Sequence, residues 1–108
     1  VITGKSLADG QLGTAKATLY TVPATTIAHI ANIILANAHT AAVTVNLYVK
    51  RSGSSSRRII GKDFSIGVND RLEIPTAGSA IRLSAGDIIE GDAATGSVID
   101  FLITGGTE

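Results

Sequence analysis

A strict two-residue alternation between Ala42 and Lys50 limits what this chain can fold into more than any other feature. Val43, Val45, Leu47 and Val49 fall on one face of that segment, and Thr44, Asn46, Tyr48 and Lys50 fall on the other. A helix would scatter the four aliphatic side chains around its circumference. A strand points successive side chains to opposite faces and so gathers all four on one buried side. The same period recurs near the end, where Ile99, Phe101 and Ile103 alternate with Val98, Asp100, Leu102 and Thr104.

Thr26–Asn37 reads differently. Ile27, His29, Ala31, Ile33 and Leu35 lie on one side under strict alternation, with Ala28, Ile30, Asn32, Ile34 and Ala36 on the other. Both sides are mainly apolar, so this strand is expected to be covered twice, once by the domain core and once by a neighbouring sheet or subunit. A helix is the competing reading. The isoleucines favour a strand, and the Pro23 turn before it and Asn37-Ala38-His39-Thr40 after it give strand-like boundaries. Ile30 and Ile34 thereby become candidates for burial between protomers.

Shorter strands are predicted at Ala17–Val22, Arg57–Lys62, Arg71–Ile74, Ala80–Leu83 and Asp87–Asp92. Turn chemistry separates them at Asp9-Gly10, Ser52–Ser56, Gly67–Asp70, Thr76–Ser79, Ala85-Gly86-Asp87 and Thr95-Gly96. About eight short strands at this spacing predict an all-β fold, an antiparallel β-sandwich of jelly-roll-like or immunoglobulin-like kind. The 108 residues suffice for a single domain spanning 1–108. Val1–Thr14 reads either as an N-terminal arm reaching a neighbour or as a first edge strand.

Composition narrows the function. Nine basic and nine acidic residues give a net charge of zero, which disfavours general nucleic-acid binding and polybasic membrane attachment. No apolar run approaches the 18 or so residues of a membrane-spanning helix. Cysteine is absent, which removes thiolate catalysis and cysteine-ligated zinc. The histidines, His29 and His39, stand one amid isoleucines and one in a turn, and no G-x-S-x-G elbow exists. His29 is expected at a core edge or interface with its ring nitrogen satisfied. No enzyme activity, cofactor or metal is expected. Glu90 and Asp92 share one strand face, read by default as solvated acids. Charged residues make up only 17% of the chain. Either other subunits cover part of so charge-poor a surface, or a monomer presents a bland Ser/Thr/Ala face.

The charges are segregated along the chain. Lys50, Arg51, Arg57, Arg58 and Lys62 place five of the nine basic residues in one hairpin, and four of the nine acids lie in the Asp87–Asp100 segment. These patches either meet head-to-tail between subunits or pair within one subunit if the hairpins are neighbours. The basic hairpin is the candidate protein interface.

Several segments, taken together, resemble a known family. They are Lys5–Leu12 (KSLADGQL), Thr18–Ala24 (TLYTVPA), Val43–Val49 (VTVNLYV), Ser56–Ile60 (SRRII) and Leu83–Asp92 (LSAGDIIEGD). In that order and spacing they resemble small β-sandwich virion proteins of tailed bacteriophages, described as capsid decoration (cement) proteins or as tail-associated proteins. The family typically has a proline after Arg-Arg-Ile-Ile, where this chain has Gly61, and a glycine after the Pro-Ala turn, where it has Thr25. The resemblance implies a non-enzymatic structural role in the virion, with assembly in the host bacterial cytoplasm. A capsid decoration protein is expected first, its partner the major capsid protein. Bridging several capsid subunits works best with symmetry, so a homo-oligomer is expected, with a trimer favoured. The alternatives are a tail or fibre-attachment component and a carbohydrate-binding host-recognition module; scarce aromatics weigh against the latter.

Overall fold

The alternation of Val43–Lys50 is realised as a strand with its aliphatic side turned into a sandwich. A computed structural model describes residues 3–75 and 81–108. Ten strands account for most of them: β1 (Thr3–Gln11), β2 (Ala17–Thr21), β3 (Ala28–Asn37), β4 (Val43–Lys50), β5 (Ser56–Arg58), β6 (Phe64–Ile66), β7 (Arg71–Pro75), β8 (Ile81–Leu83), β9 (Ile88–Ala93) and β10 (Ile99–Thr107). No helix occurs among the described residues, so none there is long and apolar enough to cross a membrane.

The first sheet runs β1-β10-β3, with β7 and β8 lying one after the other along the far edge of β3. The second runs β2-β9-β4, with β5 and β6 sharing the far edge of β4 in the same way. All of these pairs are antiparallel. Counting each shared edge as one position gives four positions per sheet. The chain passes from sheet to sheet at β1–β2, β2–β3, β3–β4, β6–β7, β8–β9 and β9–β10. This is the wrapped connectivity of a jelly roll.

The core lies between the sheets. Ile33, Leu35, Ile99, Phe101 and Ile103 of the first sheet meet Val43, Val45, Leu47 and Ile89 of the second. Gly91 of β9 faces the same core. A Cβ there would lie 3.0 Å from Leu19 Cδ1 and 3.1 Å from Leu47 Cδ2, so the missing side chain makes room for these two leucines.

Two sequence expectations are corrected here, and one alternative is resolved. First, β3 does not alternate strictly. Thr104 pairs with Asn32 and Gly105 with Ile30, so Ala31 is the extra residue of a β-bulge. The extra residue flips the face. Ala28 and Ile30 point into the core with Ile33 and Leu35, while His29, Asn32, Ile34 and Ala36 lie on the outer side. Gly105 permits this, because a Cβ on it would run into the carbonyl oxygen of His29. Second, the strand expected over Arg57–Lys62 stops at Arg58, and β6 follows as a separate short strand. The N-terminal segment, arm or strand by sequence, supplies an edge strand, β1, paired along β10. Val1, Ile2 and the segment from Thr76 through Ala80, including the expected turn there, lie outside the described residues.

Candidate functional site: the outward face of the second sheet

The residues of β4 and β9 that point away from the core are polar apart from Ile88 at the start of β9, and the register brings them side by side. Tyr48 stands opposite Glu90 on one flank and Arg58 on the other, and Thr18 stands beyond Glu90. One row across four strands therefore reads Thr18, Glu90, Tyr48, Arg58. Next to it, Asn46 is opposite Asp92.

These side chains form one hydrogen-bonded network. The Asn46 amide donates from Nδ2 to Asp92 Oδ1 (2.9 Å) and to Asp63 Oδ1 (3.1 Å). Its Oδ1 accepts from Arg58 Nη1 and from the Asp63 backbone N–H. The Tyr48 hydroxyl donates to Asp92 Oδ2 (3.2 Å), and the Ser56 hydroxyl donates to Glu90 Oε1. Lys16, just before β2, reaches Ser56 Oγ at 3.4 Å. Its ammonium lies 4.9 Å from the centre of the Tyr48 ring, and the Arg58 guanidinium 5.0 Å from it, so two cations approach the ring from the β2 side and the β5 side. Burial pushes the Tyr48 phenol pKa up, Asp92 adds to this, and Arg58 partly opposes it. Asn46 and Glu90 are buried, yet each has partners.

A second cluster joins the β4–β5 and β8–β9 turns. Asp87 is buried and accepts from the backbone N–H groups of Ser52 and Ser84 and from Arg51 Nη1, each at 2.9 Å. Burial acts to raise its pKa, but these donors and the Arg51 charge outweigh that, and the carboxyl sits below the usual aspartate range.

The basic hairpin and the acidic strand are thus neighbours in one sheet. Of the two arrangements open from sequence, pairing within the subunit is the one present for Arg51 with Asp87, and for Arg58 with the network around Asn46 and Asp92. Lys50, Arg57 and Lys62 stay exposed along the β5 side, with no ion pair among the described residues. Ile30 is corrected: it is fully buried in the domain's own core and has no surface for a partner. Ile34 is half-buried on the outer face of the first sheet.

That outer face has a simple cross-strand row. Asp9 stands opposite Leu102, Leu102 opposite Ile34, and Ile34 opposite Glu73. Two half-buried aliphatic side chains are therefore flanked by two exposed acids. His29 lies further along β3. Its Nε2 is 3.3 Å from Glu108 Oε1, but that nitrogen is buried without an aligned hydrogen bond, contrary to the expected satisfied ring. His39 sits in the β3–β4 connection, where its backbone N–H donates to Asn37 Oδ1 at 2.8 Å.

The second-sheet network ties its side chains to one another. Glu90 and Asp92 each accept from neutral donors, and the histidines lie on other elements. Among the described residues no group of three or more His, Asp or Glu is placed to hold a metal ion. Sequence reading misses Asn46, Asp63 and Lys16. The signal available is the outward position of Asn46 in an otherwise regular alternation. No protein-family model matches the chain, and no curated protein matches it.

Proposed function

We propose that this chain is a structural protein of a tailed-bacteriophage virion, a capsid decoration protein that binds the assembled head as a homo-oligomer and stabilises it. Binding only the assembled lattice stabilises that lattice by mass action. The observation that carries the reading is the row Asp9, Leu102, Ile34, Glu73 on the outer face of the first sheet. Aliphatic side chains at the centre of a sheet face, with charges at its rim, have the arrangement of a surface that another protein covers. The order of the family-like segments, which spans nearly the whole chain, supports the virion setting. The satisfied network on the second sheet supports a passive, rigid role.

The sugar-binding alternative loses weight at Tyr48. Sugar platforms use open aromatic faces, and Lys16 and Arg58 crowd this ring. The tail alternative differs in stoichiometry. Purified protein mixed with emptied heads of the source phage should co-sediment at hundreds of copies per particle and raise the temperature at which the heads rupture. A few copies per particle would point to the tail instead, and no binding to heads or tails would overturn the virion reading.

A further inference from the structure

The two sheets carry unequal charge although the chain is neutral. With the residues of connections assigned to the sheet that they bond to or lie within, six of the nine basic residues but only four of the nine acids belong to the second sheet, an excess of two positive charges; Lys16 and Asp87 bond to it, whereas Asp70 bonds to Asn37 of the first. The first sheet carries the remaining three bases and five acids, an excess of two negative charges. Internal pairing does not erase the difference. On the second sheet Arg51 is committed to Asp87 and Arg58 to Asn46, while Lys50, Arg57 and Lys62 remain exposed at the β5 edge, Lys50 on its outward side and Arg57, opposite Val49, on the other. On the first sheet Asp9 and Glu73 are exposed at either end of the Leu102–Ile34 pair; in the adjacent row Asp100 is held by Gln11 Nε2 at 3.0 Å and the exposed Arg71 stands beside Ala36, so three acids and one base surround the pair.

We infer that copies of this chain associate head-to-tail, the acid-rimmed outer face of the first sheet in one copy packing against the basic β5 side of the second sheet in the next. The occupant of the apolar pair is thus a second copy of the same chain. The charge pattern selects this geometry over a two-fold one. A two-fold contact through the first sheet would set Asp9 and Glu73 of one copy near those of the other, and one through the β5 side would crowd Lys50, Arg57 and Lys62. The head-to-tail contact sets opposite charges together and covers Leu102 and Ile34. Such a contact uses two different surfaces of each copy, so it closes into a ring where the rotation permits. The inference rests on the self-association contained in the function proposed above and specifies which surfaces meet.

The test uses the full chain in two charge-reversed forms. One carries Asp9→Lys and Glu73→Lys, the other Arg57→Glu and Lys62→Glu. All four positions are exposed, and melting curves check that both variants fold. Solution mass is measured by light scattering against protein concentration, at low and high salt. The expected result is that each variant alone is monomeric where the unaltered chain associates, and that an equimolar mixture regains association in 1:1 complexes, since each reversed surface now complements the other variant. Should the first variant fail to fold, D9N with E73Q takes its place and must still raise the dissociation constant by about tenfold or more. If one variant associates like the unaltered chain, the contact is not head-to-tail through these surfaces and the inference falls. The same holds if both variants lose association and the mixture does not recover it, or if the unaltered chain itself stays monomeric. In each of these cases the capsid-binding experiment still decides the functional reading separately, because it scores attachment to particles rather than which faces meet.

Discussion

Asn46 and Asp63 hold each other through two hydrogen bonds across 17 residues: the Asn46 amide donates to Asp63 Oδ1 at 3.1 Å, and the Asp63 backbone N–H donates to Asn46 Oδ1 at 2.9 Å. Asp63 sits at φ 51°, a left-handed conformation that costs most residues energy and that aspartate tolerates better than most. The pair fixes the turn between β5 and β6 and so sets where the basic side of the second sheet lies. Asn46→Ala leaves Asp63, Asp92 and Arg58 without their shared partner. We expect a loss of about 2 kcal/mol in urea unfolding. Asp63→Gly relieves the backbone but gives up the side-chain bond, so its cost should stay below about 1 kcal/mol. Equal losses for the two would contradict this account of the turn.

Asp87 makes stability depend on acid. Its folded-state carboxyl lies below the ordinary aspartate range, so the unfolded chain takes up its proton at a higher pH than the folded one. The stabilisation is complete above the unfolded value of about 4 and disappears as pH falls through the folded value. Asp87→Asn should lower stability by about 3 kcal/mol at pH 7, and the gap to the unaltered protein should narrow steadily below about pH 4. Thermal melts from pH 2 to 7 check this; a gap of constant size would refute it.

Gly105 allows β10 to follow the Ala31 bulge. A methyl group there has no flexible neighbour to displace, because it meets the His29 carbonyl and then, at 3.0 Å, the Ala31 backbone nitrogen. Gly105→Ala should cost about 3 kcal/mol or more. Deleting Ala31 in the same chain should recover part of that loss by removing the bulge, because the strand then alternates strictly with Ala28, Ile30, Ile33 and Leu35 all still on the core face. Chemical denaturation of both variants gives the comparison; a Gly105→Ala protein as stable as the parent would show that the bulge is not held in this way.

The sequence is most legible where one face alone is buried. Val43–Val49 and Ile99–Ile103 alternate cleanly because polar side chains hold their outer positions, Leu102 excepted, and the inward aliphatic positions follow that pattern in the structure. The first half of Thr26–Asn37 is opaque because both faces are apolar, so nothing in the period reveals an inserted residue. The glycine opposite, Gly105, is the one clue. Glycine-marked turns such as Gly53 and Gly86 are recognisable, whereas the left-handed turns at Asp63 and Ser97 use residues that carry no such signal. The candidate site is half legible. The charges of Arg58, Glu90 and Asp92 stand out in the chain, but their meeting depends on β9 lying beside β4, a long-range pairing that no local pattern encodes. Asn37 is hidden for the same reason. By sequence it marks only a strand boundary, yet its amide bonds the carbonyls of Ala41, Ile66 and Gly67 and ties together turns 30 residues apart.

The central claim is that this sandwich works while covered by other protein, beginning with its own copies. Static light scattering on the unaltered chain, from micromolar to near-millimolar concentration, addresses it most directly. The account predicts a mass that settles at a whole-number multiple of 11.0 kDa, three being the favoured value, and that drops as salt is raised. A mass that stays at 11.0 kDa over the whole range would contradict it.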